Sequence, residues 1–405
     1  MKEIEGGILA PKGYQVSAVK AGLKRDKFDL TLLVADCPAT VAGAFTTNLV
    51  KAAPLVYTQG VVEKGVSVRA ILVNSGNANA ATGHQGEVDA QQSAAVTAAL
   101  LGIQKEEVLL CSTGVIGVPL PMEKLLKGLE ACTKSLANTF LKAQQAARAI
   151  LTTDTFTKEV ALEIELGGKK VRIGGMAKGS GMIHPNMATM LSFVTTDAAI
   201  ERDFLQKLLN EGVKTSYNMI SVDGDTSTND TVLTLANGKS DVSIQEGSPE
   251  ALLFEEAFIY VHTKLAQLIA KDGEGATKLI TVEVSGGVTK SGVQQLARSI
   301  VSSNLVKTAF FGSDANWGRV LCAMGYAGVD FDPNKVSLSY KSKSGEIEVF
   351  KAGLPLKFDE KVAKEILLER EVTLLVNLNA GSASATAWGC DLSYEYVKIN
   401  GDYRS

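Results

Sequence analysis

The segment EVALEIEL, residues 159–166, alternates apolar and acidic residues with a period of two. The glycines of GGKK then turn the chain into a second apolar run, VRIGGMA, which ends at residue 177. A period of two places alternate side chains on opposite faces of a strand, and two such runs joined by a glycine turn predict a β-hairpin. This is the clearest hairpin in the chain, so the fold must contain antiparallel strands.

Helical and extended patterns are interspersed along the rest of the chain. Apolar residues at helical spacing predict helices over 86–102, 121–136, 201–220, 248–273, within 292–311, and over 359–370. Strands are predicted within 28–75 and over 278–287, 372–379 and 392–400, with a second hairpin over 336–350. Because these elements show no regular βαβ rhythm, we expect mixed α/β layers rather than a doubly wound parallel sheet.

The length of the chain predicts more than one domain. A chain of 405 residues exceeds one ordinary compact core, so two or three domains are expected. The glycines around 286–292 are the best candidate for a boundary. We therefore expect a domain of residues 1–285 and a smaller domain of residues 286–405.

Composition argues against several classes of function. The formal charge is −3, from 41 basic and 44 acidic residues without a basic block, so nucleic acid and anionic membranes are poor candidate partners. The five cysteines form no CxxC pair and there are three histidines, which favours reduced thiols over disulfides and disfavours a metal centre. The start, MKEIEGGILAPKGYQ, lacks the apolar run of a secretory signal, so we expect a cytoplasmic protein.

Three glycine-containing segments could carry chemistry or be simple turns. GGMAKGSG (174–181) matches neither the GxxxxGK[ST] nor the GxGxxG pattern; Lys178 is either a solvated lysine in a turn or a cation that meets a ligand carboxylate. KDGEGATK (271–278) reads as a helix end, with Glu274 as a surface charge. CSTGVIG (111–117) follows an apolar strand, and its backbone N–H groups and hydroxyl could hold an oxyanion.

Thr189 has an ordinary and a chemical interpretation. A threonine before the apolar run MLSFV suits a strand, because β-branched residues favour strands. If the fold strains the Ala188–Thr189 peptide, however, the Thr189 hydroxyl can attack the preceding carbonyl in an N-to-O acyl shift. Hydrolysis of the ester would give a chain that begins at Thr189, whose α-amine could then act as a base for its own hydroxyl.

A family resemblance favours the chemical interpretation. GGMAKGSGMIHPNMATML, followed by TTDA, resembles the self-cleavage segment of the ornithine acetyltransferase family, also called the bifunctional glutamate N-acetyltransferase family. Further blocks resemble that family in the same order, from about residue 40 to the end: VNSGNANAATG, CSTGVIG, LTTDTFTKE, SVDGDTSTNDT, KDGEGATK, DANWGR, ATAWGCDLSYEYVKIN and GDYRS.

The resemblance implies roles for individual residues. Cleavage between Ala188 and Thr189 would give mature chains of residues 1–188 and 189–405, with Thr189 as the nucleophile. Thr113 and Gly114 would form the oxyanion hole. The substrate-binding residues would be Thr152, Lys178, Thr189, Glu274, Asn400 and Ser405.

The reaction that the resemblance implies is a ping-pong transfer of acetyl from N2-acetylornithine to glutamate through acetyl-Thr189. The flank HPNMATML is more similar to the bifunctional members, so acetyl-CoA is expected as a second acetyl donor, with no other cofactor and no metal. The resemblance also implies a layered α/β fold around the nucleophile, a smaller C-terminal α/β domain, and α2β2 assembly of the cleaved chains.

Some features depart from the family pattern, and two other functions stay open. Ala315, Gly401 and Ser405 stand where proline, alanine and threonine are expected, and Ser405 keeps a hydroxyl. A threonine-nucleophile aminopeptidase or amidase would pass the acyl group to water instead. An inactive amino-acid-binding relative would keep Thr189 as a structural residue in an uncut chain.

Overall fold

The computed structural model describes residues 1–184 and 190–402. The strands of this part are β1 (Lys2–Glu3), β2 (Tyr14–Val19), β3 (Leu30–Phe45), β4 (Val68–Asn77), β5 (Val108–Val115), β6 (Lys158–Leu166), β7 (Lys169–Lys178), β8 (Leu191–Thr196), β9 (Ala199–Ile200), β10 (Ile220–Ser221), β11 (Thr231–Ala236), β12 (Ser243–Ile244), β13 (Leu279–Gly287), β14 (Ser337–Ser342), β15 (Gly345–Lys351), β16 (Leu354–Pro355), β17 (Glu371–Asn377) and β18 (Ala383–Cys390). The helices are α1 (Ala53–Lys64), α2 (Gly83–Leu101), α3 (Met122–Lys134), α4 (Phe140–Ala149), α5 (Arg202–Thr215), α6 (Pro249–Lys271), α7 (Lys290–Ser302), α8 (Asn304–Phe311), α9 (Trp317–Gly325), α10 (Glu360–Leu367) and α11 (Tyr394–Asp402).

The larger sheet has the order β1-β6-β7-β8-β11-β3-β4-β5, and the long strand β3 takes part in two halves of it. Residues 30–35 of β3 pair with β2, whereas residues 40–45 pair with β11. Ile71 and Leu109 from the β4–β5 half and Phe193 from β8 belong to one buried apolar cluster. The two halves therefore face each other across a shared core.

Two pairs of helices cover the outer faces of these halves. Ala94 of α2 and Leu129 of α3 pack in one cluster with β4 and β5. Leu208 of α5 and Phe258 of α6 pack with β6, β7 and β8. The layers therefore run helix, sheet, sheet, helix, which confirms the predicted layered α/β sandwich. None of the described helices has the length and apolar character needed to cross a bilayer.

A second sheet has the order β10-β18-β13-β17-β14-β15-β16. Its central strand β13 is parallel to β17 and antiparallel to β18, and α7 packs against β13 and β18. Buried side chains of this sheet join the apolar cluster that contains α5 and α6. A division after residue 285 falls inside β13, and the two-domain arrangement stays a prediction.

Most predicted elements occur in the structure, but one predicted strand is a helix. The first hairpin is β6–β7, paired from Lys158–Ala177 to Leu166–Lys169, and the second is β14–β15. Residues 392–400 were expected to form a strand, but they lie mainly in helix α11, where Tyr394 and Val397 are exposed. The aromatic and β-branched residues there match strand propensity, yet the segment pairs with no sheet in the described part of the chain.

Within the range 28–75 the predicted strands occur as β3 and β4, but one helix was missed. Helix α1 occupies Ala53–Lys64 between β3 and β4, with Pro54 in its first turn, where proline is well tolerated. The helix expected within 292–311 is interrupted. Ser303 separates α7 from α8, and its hydroxyl accepts a hydrogen bond from the amide of Val306.

Candidate active site

A cavity of about 160 Å³ lies where several distant segments meet. It is lined by Thr113, Gly114, Ile116, Thr152, Thr153, Lys178, Gly181, Met182, Asp223, Asp225, Ser227, Asn229, Glu274, Tyr396 and Asn400. Every predicted site residue that the structure describes is in this set: Thr113, Gly114, Thr152, Lys178, Glu274 and Asn400. The other predicted site residues, Ala188, Thr189 and Ser405, lie outside the described residues.

The end of β5 carries Thr113 and Gly114 beside the end of β4. Gly114 has φ 131°, a conformation that residues with a side chain rarely adopt. A Cβ at Gly114 would lie 2.4 Å from the carbonyl carbon of Gly76 and 2.5 Å from the amide nitrogen of Asn77. The glycine therefore allows the ends of β4 and β5 to touch.

Asn229 connects the loop before β11 to the end of β5 by hydrogen bonds. Its side-chain amide donates hydrogen bonds of 2.8 Å to the carbonyl oxygens of Ala78 and Ser112. Ser112 directly precedes Thr113. The burial of Asn229, within the block SVDGDTSTNDT, is not evident from the local sequence pattern.

Lys178, the last residue of β7, is almost completely buried, with 3% of its surface exposed. Burial lowers the pKa of Lys178, and the negative charges of Asp154, Asp230 and Glu274 oppose that shift. A solvated lysine is therefore ruled out, whereas a buried cation on the cavity wall can pair with a carboxylate of a ligand.

Asp154 holds the backbone around Lys178. Its carboxylate accepts hydrogen bonds from the amides of Gly179, at 2.6 Å, and Thr152, at 2.9 Å. Burial raises the pKa of this carboxyl, but the charges of Lys178 and Lys158 outweigh burial and hold its pKa well below the ordinary value. Asp154 is therefore ionised and links two of the predicted substrate-binding segments.

A buried ion-pair network lies directly beneath the site. The Lys158 ammonium contacts Asp154 at 2.7 Å and Asp272 at 2.5 Å, and all three side chains are essentially inaccessible to solvent. The carbonyl of Asp272 accepts a hydrogen bond of 2.6 Å from the Ser180 hydroxyl, and the Ser180 carbonyl accepts one of 2.8 Å from the amide of Glu274. This network joins the end of β7 to the end of α6.

Glu274 and Asn400 meet across the cavity wall. The Asn400 side-chain amide donates a 2.8 Å hydrogen bond to a carboxylate oxygen of Glu274. Glu274 is only 8% exposed, so its interpretation as a surface charge is wrong. A Cβ at Gly181 would lie 2.5 Å from that carboxylate, which explains the glycine at this position.

Acidic groups other than Glu274 also line the cavity. Asp223 accepts hydrogen bonds from the amides of Met182, at 2.6 Å, and Ile183, at 2.9 Å, and burial raises the pKa of its carboxyl. Burial also raises the pKa of Tyr396, and the charges of Asp223 and Glu274 add to the effect. One small cavity thus offers a buried ammonium and several carboxyls, a combination that suits an amino acid with a charged side chain.

Comparison with known proteins identifies the family. The ArgJ family profile matches residues 15–405. Arginine biosynthesis bifunctional protein ArgJ of Caldanaerobacter subterraneus subsp. tengcongensis is 53% identical over 406 residues, with 100% of both chains covered. This chain belongs to the ArgJ family. The ArgJ protein of Thermotoga neapolitana is 49% identical, with 98% of this chain and 100% of the relative covered.

A solved ArgJ structure supports the same assignment. The crystal structure of the arginine biosynthesis bifunctional protein ArgJ from Bacillus halodurans is 43% identical, with a TM-score of 0.51. The match covers 53% of this chain and 100% of the solved chain. The matched part of this chain therefore has the fold of that ArgJ structure.

Proposed function

We propose that this protein is an acetyltransferase of arginine biosynthesis that transfers the acetyl group of N2-acetylornithine to glutamate. The observation that carries the proposal is the cavity itself, in which all six described residues implied by the family motifs come together. Relatives at 47–53% identity, named as arginine biosynthesis bifunctional proteins, support the same pathway.

The first step of the proposed mechanism is self-cleavage between Ala188 and Thr189. The Thr189 hydroxyl attacks the Ala188 carbonyl, and hydrolysis of the resulting ester yields chains of 188 and 405 − 188 = 217 residues.

Acetyl transfer then follows a ping-pong sequence. The free α-amine of Thr189 takes the proton of its hydroxyl, whose oxygen attacks the acetyl carbonyl of N2-acetylornithine. Thr113 and Gly114 stabilise the oxyanion, the protonated α-amine of Thr189 gives its proton to the departing nitrogen, and the N–C bond breaks to release ornithine. The amine of glutamate then attacks acetyl-Thr189, and N-acetylglutamate leaves with the hydroxyl restored.

Substrate recognition divides between the charged groups of the cavity. Lys178 pairs with the α-carboxylate that both substrates share, and Thr152, whose amide is held by Asp154, contacts the same end. Glu274, positioned by Asn400, pairs with the side-chain ammonium of ornithine. Ser405 would add its hydroxyl and the terminal carboxylate to this site.

The family resemblance also implies a second acetyl donor, a subunit assembly and a cellular compartment. Acetyl-CoA serves as a second acetyl donor for glutamate, and no other cofactor takes part. The two cleaved chains stay together and assemble as α2β2 in the cytoplasm. Scattered cysteines, three of them buried and all of them free in the structure, suit a reducing compartment.

An acetyl-transfer assay tests the proposal. Purified protein is incubated with N2-acetylornithine carrying a labelled acetyl group and with glutamate. Labelled N-acetylglutamate and ornithine should appear in equal amounts, and a Thr189→Ala variant should make neither. Release of labelled acetate instead would indicate the amidase function, and binding of acetylornithine without turnover would indicate an inactive amino-acid-binding protein.

A further inference from the structure

Self-cleavage needs a different proton acceptor from the one that acetyl transfer uses. In acetyl transfer, the α-amine of Thr189 takes the hydroxyl proton. In the uncut chain the same nitrogen belongs to the Ala188–Thr189 peptide bond, and an amide nitrogen is not a usable base. Some other group must therefore accept the proton when the Thr189 hydroxyl attacks.

Asp230 lies next to the residue that follows Thr189. Its side chain has no exposed surface, and its Oδ1 accepts a hydrogen bond of 3.1 Å from the amide of Met190. Met190 directly follows Thr189 in the chain, so the Asp230 carboxyl contacts the backbone one residue after the proposed cleavage site.

The second carboxyl oxygen of Asp230 has no hydrogen-bond partner in the described part of the chain. Asp230 Oδ2 is buried and makes no hydrogen bond within residues 1–184 and 190–402. Buried carboxylate oxygens in native proteins nearly always have a partner, and exceptions often occur at reacting groups. This oxygen is therefore available to accept a proton.

The backbone on both sides of Asp230 is held by neighbouring strands. Its carbonyl accepts a 3.0 Å hydrogen bond from the amide of Thr46, and the amide of Thr231 donates one of 3.1 Å to the carbonyl of Met190. Thr231 pairs with Leu191 in the parallel register of β11 and β8. The carboxyl and the first residues after Thr189 are consequently fixed relative to each other.

The surroundings of Asp230 also suit proton transfer. Burial raises the pKa of its carboxyl well above the ordinary value, opposed by the Met190 amide, the charge of Lys178, and the nearby Thr46 hydroxyl and Ser227 amide. A carboxylate with a raised pKa is a stronger base toward a hydroxyl proton, and its conjugate acid can return that proton to a departing nitrogen.

We propose that Asp230 is the general base, and then the general acid, of self-cleavage; this inference rests on the cleavage proposed above. The Asp230 carboxylate takes the proton of the Thr189 hydroxyl as the hydroxyl oxygen bonds to the Ala188 carbonyl carbon. The carbon–nitrogen bond then breaks, and the Asp230 carboxyl gives the proton to the departing nitrogen. Water adds to the ester carbon, the ester carbon–oxygen bond breaks, and the products are the Ala188 carboxylate, the Thr189 hydroxyl and its ammonium.

The test follows cleavage of the full chain after cell-free synthesis, by denaturing gel over time. Asp230→Asn keeps an oxygen that can accept the Met190 amide but removes the base, so cleavage should slow by about 100-fold or more. Asp197→Asn is the matched control. Asp197 follows the other end of β8, is equally buried, and accepts hydrogen bonds from the backbone amides of Lys12 and Arg172. The control should cleave at the wild-type rate.

A chemical rescue separates lost basicity from lost folding. Asp230→Ala leaves space for a small carboxylate, and added formate should restore its cleavage in proportion to concentration. Cleavage of Asp230→Asn at the wild-type rate, or no rescue of Asp230→Ala by formate, would overturn the role of Asp230. A wild-type chain that stays uncut would instead contradict the proposed self-cleavage itself.

Discussion

The side-chain amide of Asn229 donates a hydrogen bond of 2.8 Å to the carbonyl of Ser112, across 117 positions of chain. This contact fixes the distance between the loop that enters β11 and the strand end that carries Thr113. The two segments otherwise belong to opposite halves of the folded sheet. The geometry of the proposed oxyanion hole therefore depends on a residue outside the family's substrate-binding set.

An Asn229→Ala variant should lose activity by displacing the end of β5. Removal of the amide leaves the carbonyls of Ala78 and Ser112 unpaired, which costs about 1–3 kcal/mol of unfolding free energy for each buried group. Misplacement of the oxyanion groups should lower kcat by about 10- to 100-fold. Steady-state kinetics and urea unfolding measure both effects.

Asn237→Ala provides the control for that experiment. Asn237 also donates to two carbonyls, those of Lys12 and Gly13, at the other end of β11. This variant should lose a similar unfolding free energy while keeping kcat. Equal loss of kcat in both variants would show that stability, and not position, limits the reaction.

Glu274→Gln should weaken ornithine binding while leaving glutamate binding intact. Glutamine still offers an oxygen to the Asn400 amide, but it has no charge to pair with the ornithine ammonium. We expect the Kd of ornithine to rise about tenfold or more, equivalent to about 1.4 kcal/mol. Calorimetry on the variant and on Glu371→Gln, an exposed surface glutamate, measures the change. Parallel loss of glutamate affinity would argue against this role of Glu274.

Lys158→Met should destabilise the protein strongly. The substitution leaves the carboxylates of Asp154 and Asp272 buried without their common partner, a loss of about 3–5 kcal/mol in unfolding free energy. Lys207→Met removes an exposed ion pair with Glu246 and should change the unfolding free energy by less than about 1 kcal/mol. Comparable losses in the two variants would contradict the importance assigned to the buried network.

The unfolding free energy should fall in mild acid because of His262. Complete burial lowers the pKa of His262 from 6.5 to about 3, so the folded state keeps this histidine neutral. The unfolded chain takes up the proton below about pH 6.5, and each further pH unit down to about pH 3 should cost about 1.4 kcal/mol. Above pH 6.5 the effect disappears.

Denaturant unfolding between pH 6.5 and pH 4.5 checks this prediction. A His262→Gln variant should lose less unfolding free energy over that window than the wild type, by about 2–3 kcal/mol. His84→Gln is the control, because the His84 side chain is exposed beside Glu87. Identical pH slopes for wild type and His262→Gln would contradict a neutral buried His262.

The hairpins and most helices could be predicted from the sequence because each pattern involves only residues close together in the chain. The alternation of apolar and polar residues in 159–166 predicts a strand from neighbouring residues alone. The helical spacing of apolar residues in 248–273 likewise predicts α6. Strand propensity at 392–400 failed because a strand also needs a partner edge. The conformation of α11 instead depends on contacts such as that of Asn400 with Glu274.

The family resemblance identified the site residues, but it did not identify the buried residues that position them. Motif similarity identified Lys178 and Glu274. Local pattern alone left Lys178 open between a solvated lysine and a ligand-binding cation, and it gave Glu274 as a surface charge. Asp154, Asp230 and Asn229 lay in segments that resembled the family without any assigned role. Their importance follows from burial and from partners far away in sequence, which no local pattern contains.

The most direct test of the account is the intact mass of the purified protein after incubation with N2-acetylornithine in the absence of glutamate. We predict two chains that divide between Ala188 and Thr189, with the mass of one acetyl group added to the chain that begins at Thr189. Addition of glutamate should remove that acetyl group. A single uncut chain of 405 residues, or two chains without added acetyl, would contradict the proposed acetyl-threonine mechanism.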